Sequence, residues 1–362
     1  MAVLALLALS IRLLARQIVR LDLSRNRVHL QISDLAARSA TFRRNNYTTA
    51  EGAYSVNWRG GGFARVGEIC ESEDGHVSRT LSWVSGQADP GITSADWSGQ
   101  YFERPGAVGD YEDVEIDTEL GPAPAWYFPG PSHSRLWVIH VHGSRVTRLS
   151  PLRGVAALAD TEAHSLVISY RGDGEGPAHP QDASTLGQTE WPDLDPAISY
   201  ALEHGAERVV LMGWSMGGTM ALLAAERSNY RHEVESLILV GPVTNWEGAI
   251  MHGARAARVP KWLGTLAIFA LASPTLARVL KFGRGVDFDA LDWTSRARIS
   301  KPCLVIHSAG DDEVPFQFSE TFAALNPSVV LQKLPDALHT FEWNRSPELF
   351  SAVIRDWLCG QR

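Results

Sequence analysis

The residues Gly213-Trp214-Ser215-Met216-Gly217 set a serine between two glycines at the spacing that a nucleophilic hydroxyl requires. A serine on a tight strand-to-helix turn is forced outward, and such a turn leaves no room for side chains at Gly213 and Gly217. With Gly and Ser each at about 7%, the bare pattern arises by chance in roughly one chain in ten. The flanks make it specific. Residues 208–212 read as a strand that ends at Gly213, and Gly217-Gly218 opens a helical run to Arg227. The start of that helix offers backbone N–H groups to developing negative charge. The bland alternative is that Ser215 merely caps a glycine-rich turn.

A serine hydroxyl is a weak nucleophile until a base takes its proton. Where a strand–serine–helix turn carries the nucleophile, an acid and then a histidine follow it in the chain. Of the 12 histidines, only His339 lies beyond the acidic run Asp311-Asp312-Glu313. A carboxylate in that run would hold the imidazole in the right tautomer, and chemistry alone leaves the choice among the three open. Two aligned N–H donors are also needed for the oxyanion. Met216 follows the nucleophile and supplies one; the loop His142-Gly143-Ser144, after the apolar run 136–141, is placed to supply the other from Ser144. His142 precedes Ser215 and reads as an orienting residue of that loop.

The elements that position these residues are short apolar runs at 136–141, 166–170, 209–212, 237–240, 303–306 and 329–331, typical of buried parallel strands. Helical segments at 152–159, 196–203, 217–227, 319–325 and 347–358 lie between them, and 114–117 with 125–128 reads as an opening hairpin. This rhythm predicts an α/β fold, a mostly parallel sheet with helices on both faces, over residues 111–362. Residues 246–298 interrupt it with an apolar helical stretch broken by Pro274, expected as a helical cap insertion over the site. Residues 45–110, punctuated by Gly60-Gly61-Gly62 and Asp74-Gly75, predict hairpins of a β-rich accessory region.

At 362 residues and 45% hydrophobic, the chain can bury one large core or two modest ones. Three cysteines are too few for a disulfide framework or a Cys-based zinc site, and Cys303 and Cys359 are expected as buried free thiols, which favours a reducing compartment. The net charge of −8 is uneven: residues 1–44, expected as a basic, apolar helical segment, carry Arg at 12, 16, 20, 25, 27, 38, 43 and 44 against Asp22 and Asp34. A basic, apolar amino terminus on an acidic body suggests a membrane surface and disfavours nucleic acid. The apolar run through Ile11 is about half the roughly twenty residues of a bilayer span. Residues 1–20 are therefore expected as a short anchor, as an interfacial helix attached to the cytoplasmic face, or as an ordinary amphipathic helix packed on the domain.

Other patterns are set aside. Gly172-Asp173-Gly174-Glu175-Gly176 would repel a phosphate, and the alternating acids 113–119 read as the wet face of a strand, so no cofactor or metal is implied. Trp214 and Trp246 are candidates to line an acyl pocket.

From residue 111 onward the chain resembles the α/β-hydrolase superfamily, near its prolyl-oligopeptidase-like and esterase-like members. The matching elements are His142-Gly143, the turn Tyr170-Arg171-Gly172-Asp173-Gly174, the sequence Gly213–Gly218, the G-x-x-D-x-x-V-P pattern read from Ser308, and His339-Thr340-Phe341-Glu342-Trp343. The resemblance selects Asp311, four residues before Pro315, as the acid; Ser308 stands where many relatives have glycine. It implies a fold and a reaction class but no substrate; the leading expectation is a serine hydrolase that cleaves an ester or thioester of a small-molecule acyl substrate through Ser215, His339 and Asp311, and the apolar insertion and basic amino terminus lean towards lipophilic acyl groups. A serine peptidase and a non-catalytic membrane-attached binding module are the competing readings.

Overall fold

The computed structural model describes residues 2–22, 28–58, 61–73, 75–89 and 91–360, with the side chains of residues 2–5 excepted. Arg25, Arg27, Gly60 and Asp74, which entered the charge and turn arguments above, lie outside the described residues.

A helix, α1 (Ala2–Val19), precedes six strands: β1 (Val28–Leu35), β2 (Ser39–Arg43), β3 (Tyr54–Trp58), β4 (Gly62–Glu73), β5 (His76–Ser85) and β6 (Ser94–Ser98). They close into an antiparallel barrel in the order β1-β2-β5-β4-β3-β6. Closure removes the exposed strand edges that separate hairpins would carry. Leu30, Ile32, Phe42, Val56, Val66 and Trp97 fill the interior. The barrel corrects the expected boundaries. Residues 28–43 are strands of this body and not part of a helical segment spanning 1–44, and 94–98 adds a sixth strand. In β1, Leu30 and Ile32 point inward while His29 and Gln31 are exposed, the period-two pattern of a strand, which the surrounding arginines obscured.

The second body is an eight-stranded sheet: β7 (Glu112–Thr118), β8 (Gly121–Phe128), β9 (Leu136–Val141), β10 (His164–Ile168), β11 (Arg208–Trp214), β12 (Val234–Val240), β13 (Cys303–Ser308) and β14 (Val329–Leu334). Its order is β14-β13-β12-β11-β9-β10-β8-β7, parallel except for the hairpin β7–β8 and the pairing of β8 with β10. The helices are α2 (Leu152–Ala157), α3 (Leu194–Glu203), α4 (Met216–Arg227), α5 (Trp246–Ala256), α6 (Lys261–Ala272), α7 (Pro274–Val279), α8 (Phe316–Leu325), α9 (Glu342–Arg345) and α10 (Pro347–Gly360). Two apolar layers, one on each face, bury the sheet, and α1 joins the first through Ala15 and Val19. From β9 the chain moves to β10 on one side and then crosses to β11 on the other, so a crevice opens between the carboxyl ends of β9 and β11.

The two bodies meet at the segment that follows β14. Asn344 Nδ2 donates to the carbonyls of Ala53 (2.6 Å) and Gly99 (2.9 Å), and the Phe341 ring lies 5.4 Å from that of Tyr54. Of the cysteines, Cys303 is buried whereas Cys359 is exposed, contrary to expectation, because α10 turns its apolar stripe of Phe350, Ile354 and Leu358 inward and leaves the next residue outside. No described helix is long and apolar enough to cross a membrane.

Candidate active site

The crevice between β9 and β11 receives Ser215. Its backbone, at φ 53° and ψ −115°, sits in a region that costs a non-glycine residue about 1–3 kcal/mol. The turn is pinned from both sides: Ser215 N–H donates to the Val240 carbonyl (3.0 Å), and the Ser215 carbonyl accepts from Gly218 N–H (3.0 Å). The glycines have steric reasons. A Cβ on Gly213 would strike the Gly217 carbonyl, and one on Gly217 would strike the carbonyl of Val141. Ser215 remains partly exposed while its neighbours Trp214 and Met216 are buried.

His339 arrives on the loop after β14. Its Nε2 lies 2.8 Å from Ser215 Oγ, and its Nδ1 lies 2.6 Å from Asp311 Oδ2. Asp312 instead accepts the His339 backbone N–H through Oδ1 (3.2 Å). The tight turn decides between them: Asp311 Oδ1 accepts from the N–H groups of Glu313 (2.9 Å) and Val314 (2.7 Å), which aims Oδ2 at the imidazole. Burial works against charge on both partners. Burial pushes the Asp311 carboxyl up, yet the charge of His339 and hydrogen bonds from His307 and His339 hold it well below the usual carboxylate range. Burial likewise lowers His339, and the charge of Asp311 more than offsets this, so the imidazole binds its proton more tightly than an ordinary histidine. A histidine so placed can take the Ser215 proton and pass it on.

The N–H groups of Met216 and Ser144, the expected oxyanion donors, take their directions from peptide geometry. In a trans peptide the N–H points opposite to the carbonyl. The Ser215 carbonyl is directed inward to Gly218, so the Met216 N–H faces the other way. The Gly143 carbonyl is held by Tyr170 Oη (2.9 Å) and lies 2.8 Å from His142 Nδ1, which turns the Ser144 N–H away from both. His142 is fixed in turn by Asp173, 3.0 Å from its Nε2, with both side chains fully buried. Burial pushes the Asp173 carboxyl up, and the hydrogen bonds from His142 and from the Gly176 and Glu175 N–H groups outweigh it, leaving Asp173 below the usual range. Gly143 adds clearance, since a Cβ there would come within 3.1 Å of Ser215 Cβ.

Sequence reasoning left three of these residues unassigned. Tyr170 and Asp173 appeared only in a glycine-rich turn, and their brace on the His142 loop depends on the β9–β10 pairing. His307, behind Asp311, places Nε2 3.0 Å from Asp311 Oδ2 and Nδ1 2.8 Å from Ser319 Oγ. Its signal was a histidine inside an otherwise apolar buried strand. Trp214 is corrected: it lies buried against Phe350 with the Arg153 guanidinium 4.7 Å from its ring centre, so it packs the core. Trp246 is half-buried and donates from Nε1 to Thr219 Oγ1 (3.0 Å), tying the start of α5 to α4.

His307, Asp311 and Glu342 bring donor atoms within 4.8 Å of one another. Both His307 nitrogens and the facing Asp311 oxygen are already engaged, so a cation would have to break that network.

A sequence profile of the alpha/beta hydrolase family matches residues 128–353, and one described only as a domain of unknown function matches residues 30–98. Two curated relatives, each the uncharacterised protein YfhR, from Salmonella typhimurium and Salmonella typhi, are 28% identical over 211 residues, 55% of this chain and 64% of theirs. The chain thus covers less than two thirds of those relatives. Among solved structures, an esterase of Pyrococcus furiosus superimposes with a TM-score of 0.55 at 21% identity, covering 72% of this chain and 94% of that one. A serine hydrolase from the polyaromatic hydrocarbon-degrading bacterium Cycloclasticus zankles gives 0.52 at 17%, covering 69% and 99%. At these identities the likeness is one of fold.

Proposed function

The chain belongs to the alpha/beta hydrolase family, and we propose that it is a serine esterase that cleaves esters or thioesters through Ser215, the apolar insertion and basic amino terminus favouring lipophilic acyl groups. One observation carries the reading: Ser215 Oγ, His339 and Asp311 form an unbroken chain, with 2.8 and 2.6 Å between successive atoms. Ser215 Oγ attacks the acyl carbonyl carbon while His339 Nε2 takes its proton. Asp311 balances the charge that the imidazole gains. The carbonyl oxygen, now negative, meets the N–H groups of Met216 and Ser144. Collapse expels the alcohol or thiol with the proton from His339 and leaves an acyl-Ser215 ester, which water cleaves by the same steps in reverse.

The test is covalent labelling with a fluorophosphonate, wild type beside Ser215→Ala and His339→Ala. Strong labelling lost in both variants, with turnover of simple esters over aminoacyl amides, is the expected result. Folded wild-type protein that stays unlabelled would favour a binding module, and faster amide cleavage would favour a peptidase.

A further inference from the structure

The helices α5, α6 and α7 of the insertion and the amino-terminal helix α1 present a surface that the chemistry of Ser215 does not use. Helix α1 packs along α6, and α6 packs against α5 and α7. Their inner faces are core: Ala15 and Val19 from α1, Ala267, Ile268 and Leu271 from α6, Ala277 from α7. Their outer faces are apolar as well. Leu6 (64% exposed), Leu9 and Leu13 recur at the spacing of one helix face on α1. Trp262 (57%) and Phe269 (60%), two turns apart, share one face of α6, and Val279 on α7 is 71% exposed. These are six of the 13 large hydrophobic side chains exposed among the described residues, gathered on three touching helices.

Charge is gathered there too. Residues 2–21 hold Arg12, Arg16 and Arg20 with no acid, and residues 246–284 hold Arg255, Arg258, Lys261, Arg278, Lys281 and Arg284 against Glu247 alone. These segments therefore carry +8 within a chain of −8, which leaves −16 on the remainder. All nine except Arg20, which pairs with Asp22 at 3.0 Å, are exposed. Exposed aliphatic and indole side chains among cations suit the boundary between lipid headgroups and acyl chains, and the acidic remainder favours one orientation on an anionic membrane. A second copy of the chain would set this positive face against an equally positive one.

We propose that α1, α6 and α7 form one docking face for an anionic bilayer, entered by Leu6, Leu9, Leu13, Trp262, Phe269 and Val279 while the surrounding cations meet lipid phosphates. The face adjoins the site. The Val19 carbonyl accepts the Ser184 N–H (2.7 Å), and Ser184 Oγ lies 3.7 Å from the sulfur of Met216, the residue after the nucleophile. The docking does not rest on the esterase reading.

The experiment is flotation of the full chain with phosphatidylcholine vesicles, with and without phosphatidylglycerol, for wild type, Trp262→Ser/Phe269→Ser and Arg255→Glu/Arg258→Glu/Arg278→Glu. Wild type should float only with the anionic vesicles and release in high salt, and each multiple variant should bind about tenfold more weakly or worse. Both variants should keep the wild-type melting temperature and turnover of a short, water-soluble ester. Absence of wild-type flotation, or variants that float like wild type, overturns the proposal. So does concentration-dependent self-association, seen by light scattering, that the same substitutions abolish without any vesicle binding. Loss of ester turnover in wild type with flotation intact would overturn the esterase reading alone.

Discussion

Replacing Asp311 with asparagine reverses the hydrogen-bond logic of the site while leaving its shape. The new amide cannot choose its orientation, because two backbone N–H groups, from Glu313 at 2.9 Å and Val314 at 2.7 Å, demand an acceptor at the Oδ1 position. The carbonyl oxygen must sit there, so the NH2 group takes the place of Oδ2. It then presents donors to His339 Nδ1 and His307 Nε2, 2.6 and 3.0 Å away. For His339 Nδ1 to accept, its proton must move to Nε2, which faces Ser215 Oγ at 2.8 Å. An Nε2 that carries a proton cannot take one from serine. The expected loss is about 10⁴-fold in kcat, or about 5.4 kcal/mol of barrier, on a chromogenic ester. Asp312→Asn is the control. Its amide oxygen can still accept the His339 backbone N–H, so activity should change by less than about tenfold. With melting temperatures matched, an Asp311→Asn enzyme within about tenfold of wild type would refute the reasoning, as would an equal loss in Asp312→Asn.

Two further outcomes follow from titration. His339 must be neutral to act as a base, and Asp311 raises its proton affinity above the ordinary value of 6.5. The kcat/KM of wild type should therefore climb with pH, with a slope of about one in the logarithm, to a midpoint above 6.5; a midpoint at or below that value would contradict the assigned pair. Glu342 is fully buried, neither of its carboxylate oxygens finds a hydrogen-bond partner among the described residues, and burial raises it from 4.5 to about 7. The unfolded chain then releases this proton before the folded one does, so the contribution of Glu342 to stability falls from pH 4.5 through about 7. Glu342→Gln should remove that fall, gaining roughly 3 kcal/mol at pH 8 relative to pH 4 in paired denaturant titrations. A gain independent of pH would show that Glu342 is not the titrating group.

Much of the hydrolase body was legible because its signals are local. Gly213 and Gly217 are dictated by backbone collisions within one turn, and the short apolar strands by burial on both faces of a parallel sheet. The order of serine, acid and histidine singled out His339 without coordinates. The barrel was only half legible: β3, β4 and β5 are bounded by glycine turns, whereas the alternation in β1 was masked by the arginines around it.

What the sequence determined, then, was the element rhythm and the serine and histidine, since each is a matter of residue type, spacing or order along the chain. Residue chemistry left the acid open and the family resemblance pointed to Asp311; the tertiary structure gives the physical reason, because the side chains of Asp311, Asp312 and Glu313 leave one turn in directions set by its hydrogen bonds. It also brought Tyr170 and Asp173 to the His142 loop and His307 behind Asp311, and set the barrel against the segment after His339 through Asn344 and Phe341. Contacts between residues this far apart depend on strand order and side-chain direction, which residue type and spacing along one chain do not encode locally.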